Sequence, residues 1–382
     1  MIYLDNASTT PCREDSARIV CSALVDDFYN PSAKYMPAFE ASKKLNDARK
    51  KILSLLSVTS ATHSVVFTGS ATEANNLVLN SSLNKHNSNI VSQGEHSSIY
   101  ETVKRFHSIG YDVVEAPLTP AGVVDLDKFK LIMNSKVAFV SAIMVSNETG
   151  AINDIKSLIQ IARSANPKVL IHVDAVQAFC KIKINLQELN IDYLTISSHK
   201  VEGPKGVGAL VYKNNVKLEP HILGGGQEQG KRSGTENLPA ILGFVNSAIE
   251  LNRKMAENHD AVQDFKNRLI NSLETKASEF GLKFVLNGNR INSSPYILSC
   301  GFIGTKGEVL LHALAAENIL VGTGSACNSK HSGNRVLSAM GCTKDEVECN
   351  IRLSFRAETS KEDSDKIAEI IVALANKHNA RR

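Results

Sequence analysis

Seven short apolar runs, separated mainly by stretches of helical periodicity, constrain this chain more than any other feature. They fall at 65–67, 90–92, 112–117, 137–145, 169–173, 193–197 and 208–212. Between them, as at 73–83 and 155–165, apolar side chains return at helical spacing, and an earlier stripe occupies positions 41, 45, 48, 52 and 55. Such alternation predicts an α/β fold: a mostly parallel seven-stranded sheet with helices on both faces. The last link, 198–207, is about ten residues, where a parallel crossover takes a dozen or more. The strand at 208–212 is therefore expected to run antiparallel. Beyond Pro239 a helical region extends to about 277 with a break near Asn258. Strands near 283–286, 296–300 and 351–355 and helices near 307–317 and 361–377 then predict a smaller α+β unit. The expected division is a large domain over 15–258, and a small one made of 1–14 with 259–382. Residues 3–11 read as an extended polar arm.

Two of the apolar runs end in chemistry. Ile171-His172-Val173-Asp174 closes on an acid with Gln177 three residues on, and Thr195-Ile196-Ser197-Ser198-His199-Lys200 closes on hydroxyls, an imidazole and a lysine. Open α/β sheets bind ligands at the carboxyl ends of their strands. A lysine held there among apolar neighbours is an amine nucleophile toward a carbonyl. An aspartate there can hold a cation such as a protonated pyridine nitrogen. The pair suits pyridoxal 5'-phosphate (PLP), whose protein partners are a Schiff-base lysine and an acid at the ring nitrogen. A salt bridge at a strand end would leave the same two residues.

Other strand ends add to the same edge. Thr68-Gly69-Ser70-Ala71-Thr72-Glu73 follows a strand and opens a helix, which suits a phosphate; a plain turn capped by Thr72 fits as well. Ser197 and His199 flank the lysine and can donate to the same phosphate, although a histidine such as His199 is more often simply packed. His96, in Gly94-Glu95-His96-Ser97, can stack on a flat ring and relay protons, or cap a helix. Asn147, in Asn147-Glu148-Thr149-Gly150, can reach a cofactor hydroxyl or a substrate carboxylate. The loop from Gly224 to Thr235 carries glycines, cations and hydroxyls without Walker spacing. Cys327 sits in a Gly/Ser/Asn segment beside Lys330, His331 and Arg335, cations that favour the thiolate. Arg352, on a late strand, can grip a carboxylate bidentately or form a surface ion pair. Thr72, His96, Asp174, Gln177 and Lys200 all fall at one edge of the expected sheet.

Bulk properties exclude other classes. A net charge of +4 is too modest to indicate nucleic acid, and no apolar run reaches the 18 residues of a membrane span. Seven cysteines without Cys-x-x-Cys spacing argue against a disulfide framework or a zinc site and for a reducing compartment. The chain is expected to be cytoplasmic, with no direct contact to nucleic acid or membrane and no metal.

Taken jointly these motifs resemble the cysteine desulfurases of the class V aminotransferase group, fold type I PLP enzymes. The likeness runs from Tyr3-Leu4-Asp5-Asn6-Ala7-Ser8-Thr9-Thr10-Pro11 through Ala71-Thr72-Glu73-Ala74-Asn75-Asn76, Glu95-His96, Asn147-Glu148-Thr149-Gly150, His172-Val173-Asp174 and Ser198-His199-Lys200. It continues through Arg232-Ser233-Gly234-Thr235 to Gly324-Ser325-Ala326-Cys327. The resemblance implies that Lys200 holds PLP and moves protons, Asp174 pairs with the ring nitrogen, His96 stacks on the ring and Gln177 bonds its hydroxyl. It implies Ala71, Thr72, Ser197 and His199 at the phosphate, joined by Thr235 from the other subunit of a homodimer. Asn147 and Arg352 would bind the carboxylate of L-cysteine. Cys327 would take the sulfur as a persulfide, releasing alanine and passing sulfur to an acceptor protein for iron–sulfur assembly or for tRNA or thiamine thiolation. A selenocysteine lyase or aminotransferase of the same fold, and an idle PLP-fold scaffold, are the other readings.

Overall fold

The computed structural model describes residues 1–324 and 334–380, so Cys327 lies outside the described residues. The chain begins with β1 (Ile2–Tyr3), α1 (Glu14–Asp26) and α2 (Met36–Leu55). It continues through β2 (His63–Thr68), α3 (Ala71–Ser82), β3 (Ser88–Ser92), α4 (Ser97–Ser108), β4 (Val113–Ala116), α5 (Leu126–Ile132) and β5 (Val137–Ile143). Next come α6 (Ile155–Ala165), β6 (Leu170–Asp174), α7 (Leu186–Leu189), β7 (Tyr193–Ser197), β8 (Gly208–Lys213), α8 (Leu238–Arg253) and α9 (Met255–Glu279). The remainder is β9 (Phe284–Leu286), β10 (Ile297–Phe302), α10 (Gly307–Ala316), β11 (Ile319–Leu320), α11 (Arg335–Ala339), α12 (Lys344–Glu348), β12 (Asn350–Ser354) and α13 (Ser364–Lys377).

Among the described residues the largest sheet has seven strands in the order β2-β8-β7-β6-β5-β3-β4. All neighbours are parallel except β8, which runs antiparallel to both β2 and β7. The short link before it has no room for a crossover. Successive residues of each strand serve opposite layers. Val65, Phe67, Leu194, Ile196 and Val211 join one buried cluster with α2, α6 and α8. Val66, Tyr193, Leu210 and Tyr212 join another with α3 and α4. Burial on both faces is why these strands read as continuous apolar runs.

A three-stranded antiparallel sheet, β12-β10-β9, and the parallel pair β1-β11 form with α9, α10 and α13 around a separate core. That core draws on residues 262–375 together with Leu4 and Ala7 of the N-terminal arm. Val336, Leu337 and Met340, in and just after α11, instead join the first core. The helical break falls at Lys254, not near Asn258. No glycine or proline marks it; α8 buries Ile241 and Phe244 in one core, whereas α9 buries Phe265 and Leu269 in the other. The final helix starts at Ser364 because the Asp363 side chain accepts from the backbone N–H groups of Asp365 and Lys366.

Candidate active site

The carboxyl ends of β2, β3, β5, β6 and β7 open into one cavity of about 1000 Å³. The arm and the smaller sheet complete its wall with Ala7, Ser8, Gly324 and Arg352. Ala71, Thr72, His96, Asn147, Asp174, Gln177, His199, Lys200 and Arg352 all line it. Ser197 lies at the end of β7 beside it, whereas Thr235 is exposed and does not reach the cavity of its own chain.

Lys200 follows β7 in a 3₁₀ turn. Its Nζ donates to the Ala7 and Ser8 carbonyl oxygens of the arm. Burial above all, then the charge of Lys181, pulls its pKa down to about 7. Such an amine is about half neutral at pH 7, and the neutral form is the one that acts as a nucleophile. Asp174 ends β6 with both oxygens engaged. Oδ1 accepts the Val176 backbone N–H at 3.0 Å and Oδ2 accepts Asn75 Nδ2 at 2.9 Å.

The first turn of α3 has its side-chain cap at Ser70, whose Oγ accepts the Glu73 N–H, not at Thr72. Thr72 is thereby spared capping and faces the cavity with Ser70 and Ala71. Gly208 makes this turn possible: a Cβ there would sit 2.6 Å from the Ser70 carbonyl carbon and 2.7 Å from the Ala71 nitrogen. Ser197 Oγ is buried without a partner. A helix N-terminus and an orphaned hydroxyl beside it are the donor set a phosphate requires, so these residues fit the anionic end of PLP. A buried amine and an acid in the same cavity fit its aldehyde and ring ends. His199 offers less: Nδ1 already meets Thr9 Oγ1 at 3.2 Å, and burial holds its pKa down at about 4.

His96 does two jobs at once. It caps α4, its Nδ1 accepting the Ser98 N–H at 3.1 Å, and its ring lines the cavity. Gln177 is more occupied than its sequence suggests. Its Nε2 donates to Ala7 O and its Oε1 accepts from Lys181 Nζ, both at 2.9 Å. One Nε2 proton and one Oε1 lone pair remain for a cofactor hydroxyl.

Arg352 is 7% exposed, so it is no surface ion pair. Its Nη1 donates to Asn147 O at 2.8 Å and its Nη2 meets Asp5 Oδ1 at 3.1 Å, while Nε is buried without a partner. Asn147 Oδ1 is likewise unpartnered, its Nδ2 donating to Glu148 Oε1 at 2.7 Å. A guanidinium edge and an amide oxygen with unused capacity form a place for a small zwitterion.

Sequence reasoning gave no role at this wall to several residues, Arg335 having been read only as a cation near Cys327. Glu95 is fully buried beside Asp174, and burial first, then that neighbour, raises its pKa well above the usual carboxylate range. Arg335 stacks 4.1 Å from the Tyr100 ring and donates to the Gln93 and Glu95 carbonyls. Asn75 was visible only as part of a motif. Among the described residues no cluster of three or more His, Cys, Asp or Glu is placed to hold a metal ion. Nor is any helix there long and apolar enough to cross a membrane.

Known proteins resemble this chain in sequence and fold. The family model described as Aminotransferase class-V matches residues 2–367. A cysteine desulfurase, IscS 1, of Archaeoglobus fulgidus is 33% identical over 378 residues, covering 97% of this chain and 96% of that one. A NifS-like protein from Rickettsia africae superposes with a TM-score of 0.84 at 29% identity, covering 98% of both chains. A structure described as SspA in complex with cysteine gives a TM-score of 0.78 at 28% identity, covering 93% of this chain and 99% of that one. With a family match spanning nearly its whole length, this chain belongs to the class-V aminotransferases.

Proposed function

We propose that this chain is a PLP-dependent cysteine desulfurase. It converts L-cysteine to L-alanine and passes the sulfur, as an enzyme persulfide, to an acceptor protein. One observation carries the reading: a depressed-pKa lysine, an aspartate, a helix N-terminus and an underused arginine share one cavity.

PLP, when bound, supplies an electron sink that labilises bonds at the substrate α-carbon. The chain's own residues do the rest. Lys200 anchors the cofactor and carries protons at Nζ. Asp174 faces the ring nitrogen, steadied by Val176 and Asn75. The Ala71 and Thr72 end of α3, Ser197 and His199 hold the phosphate, with Thr235 contributed by a second subunit. Arg352 and Asn147 orient the substrate carboxylate. Cys327 takes the sulfur atom from the substrate, whose carbon receives a proton in exchange.

A homodimer is part of the proposal. Leu24, Val25, Phe28, Tyr35, Met36 and Phe39 are exposed along α1, α2 and the link between them, apolar side chains that a second subunit would cover. A reducing, cytoplasmic setting agrees with the described cysteines, all of which are free. The acceptor is read as an iron–sulfur scaffold or a thiolation enzyme. The division into 15–258, and 1–14 with 259–382, is proposed on the separate cores.

Purified protein should carry the absorbance of a lysine-bound PLP, and Lys200→Ala should abolish it. Cys327→Ser should keep the band while sulfide release from cysteine falls to background. Full sulfide release by Cys327→Ser would remove Cys327 from the mechanism.

A further inference from the structure

A hydrogen-bonded chain under the cavity joins two residues that the roles above treat separately. Asn75, in α3, is 1% exposed and aims both amide protons at acceptors. Its Nδ2 donates to Asp174 Oδ2 and to Ser98 Oγ, each at 2.9 Å, while Oδ1 is buried without a partner. The reversed amide would set its oxygen against the carboxylate, so this orientation is fixed by charge. Ser98 Oγ, having accepted from Asn75, has its own proton for His96 Nδ1 at 2.9 Å. The same Nδ1 accepts the Ser98 backbone N–H at 3.1 Å.

A backbone amide can only donate, so Nδ1 carries no proton and the neutral imidazole bears its proton on Nε2. Protonating Nδ1 would cost the backbone contact and reverse the one to Ser98 Oγ. Burial also lowers the His96 pKa, partly offset by Asp174. We propose that Asn75 and Ser98 are positioning residues that lock His96 as the Nε2–H imidazole and tie its ring to the Asp174 carboxylate. His96 then enters the reaction as a neutral hydrogen-bond donor at Nε2, and its ring cannot turn without disturbing Asp174. The functional half rests on the proposed roles of Asp174 and His96 toward PLP; the tautomer does not.

The test is ¹⁵N-histidine NMR on the full chain, with and without PLP, using His96→Gln to identify the resonances. An unprotonated Nδ1 and a protonated Nε2 are expected in both forms around neutral pH. A protonated Nδ1, or averaging between tautomers, overturns the proposal. Asn75→Leu, close in volume, removes both side-chain donors. It should weaken PLP binding about tenfold, as loss of a bond to a charged group does, and shift the His96 signals. Ser98→Ala keeps the backbone N–H, so the tautomer should persist while the His96 titration moves. If neither variant alters His96 or PLP affinity, the relay has no positioning role. A cofactor-free protein that shows the Nε2–H form yet never binds PLP would sink the cofactor reading and leave the tautomer standing.

Discussion

Cofactor capture by the cofactor-free protein should switch on between about pH 6 and pH 8, far below the range of an ordinary lysine. The cause is Lys200, whose pKa of about 7 comes from burial first and from the Lys181 charge next, opposed by Asp5 and Asp174. Only the neutral amine attacks a carbonyl. With that pKa it makes up about 9% of Lys200 at pH 6 and about 91% at pH 8, whereas a lysine near 10.5 would be about 0.3% neutral at pH 8. The rate should therefore rise about tenfold over the interval and then level off. Rapid-mixing absorbance of PLP with the cofactor-free chain reads this directly, and dividing by the rate with a free model amine removes the titration of PLP itself. Lys181→Met deletes a repelling charge, so the folded protein tolerates protonated Lys200 better and the midpoint moves up. A wild-type midpoint near 10, or a midpoint that falls in Lys181→Met, would refute the assignment of burial and Lys181 as causes.

Two substitutions probe the ends of the cavity. Gly208→Ala drives a Cβ into the backbone of Ser70 and Ala71; PLP should dissociate at least about tenfold faster, because the helix end must shift, with circular dichroism unchanged. Unaltered PLP affinity would show that the α3 N-terminus is not the phosphate site. Arg352→Lys keeps the charge but loses the fork that spans Asn147 O and Asp5; KM for cysteine should rise about tenfold with kcat nearly kept, as when uniform binding is removed. A fall in kcat alone would place Arg352 in the transition state instead.

What could be read from the residues follows from how local each cause is. The reversal of β8 was legible because link length alone forbids a crossover. The strand at 193–197 matched to the residue because its apolar run ends abruptly in hydroxyls. The alternative of a cap at Thr72 stayed open in the sequence because Ser70 and Thr72 both suit that role, and only the φ/ψ of the turn decides for Ser70. The break at Lys254 was displaced because two cores, not the local sequence, set it. The carbonyls of Ala7 and Ser8 leave no residue signature at all, since every residue has one. Asn75 and Ser98 belong to different helices, and their amide and hydroxyl acquire meaning only when α3 and α4 are set side by side.

The acceptors of the Lys200 amine lie at the very start of the chain, and what fastens them lies near its close. Ser354 Oγ receives the Ala7 N–H, Asn6 Nδ2 reaches the Ser354 carbonyl, and Asp5 meets Arg352. A ribosome releases these two ends more than three hundred residues apart. The nascent chain can assemble its main sheet early, but β1 gains its strand partner only with β11 and the arm its Ser354 anchor only with β12. Loading with vitamin B6 therefore waits for β12, and a translation product cut short before 350 would keep the sheet while missing a wall of the cavity.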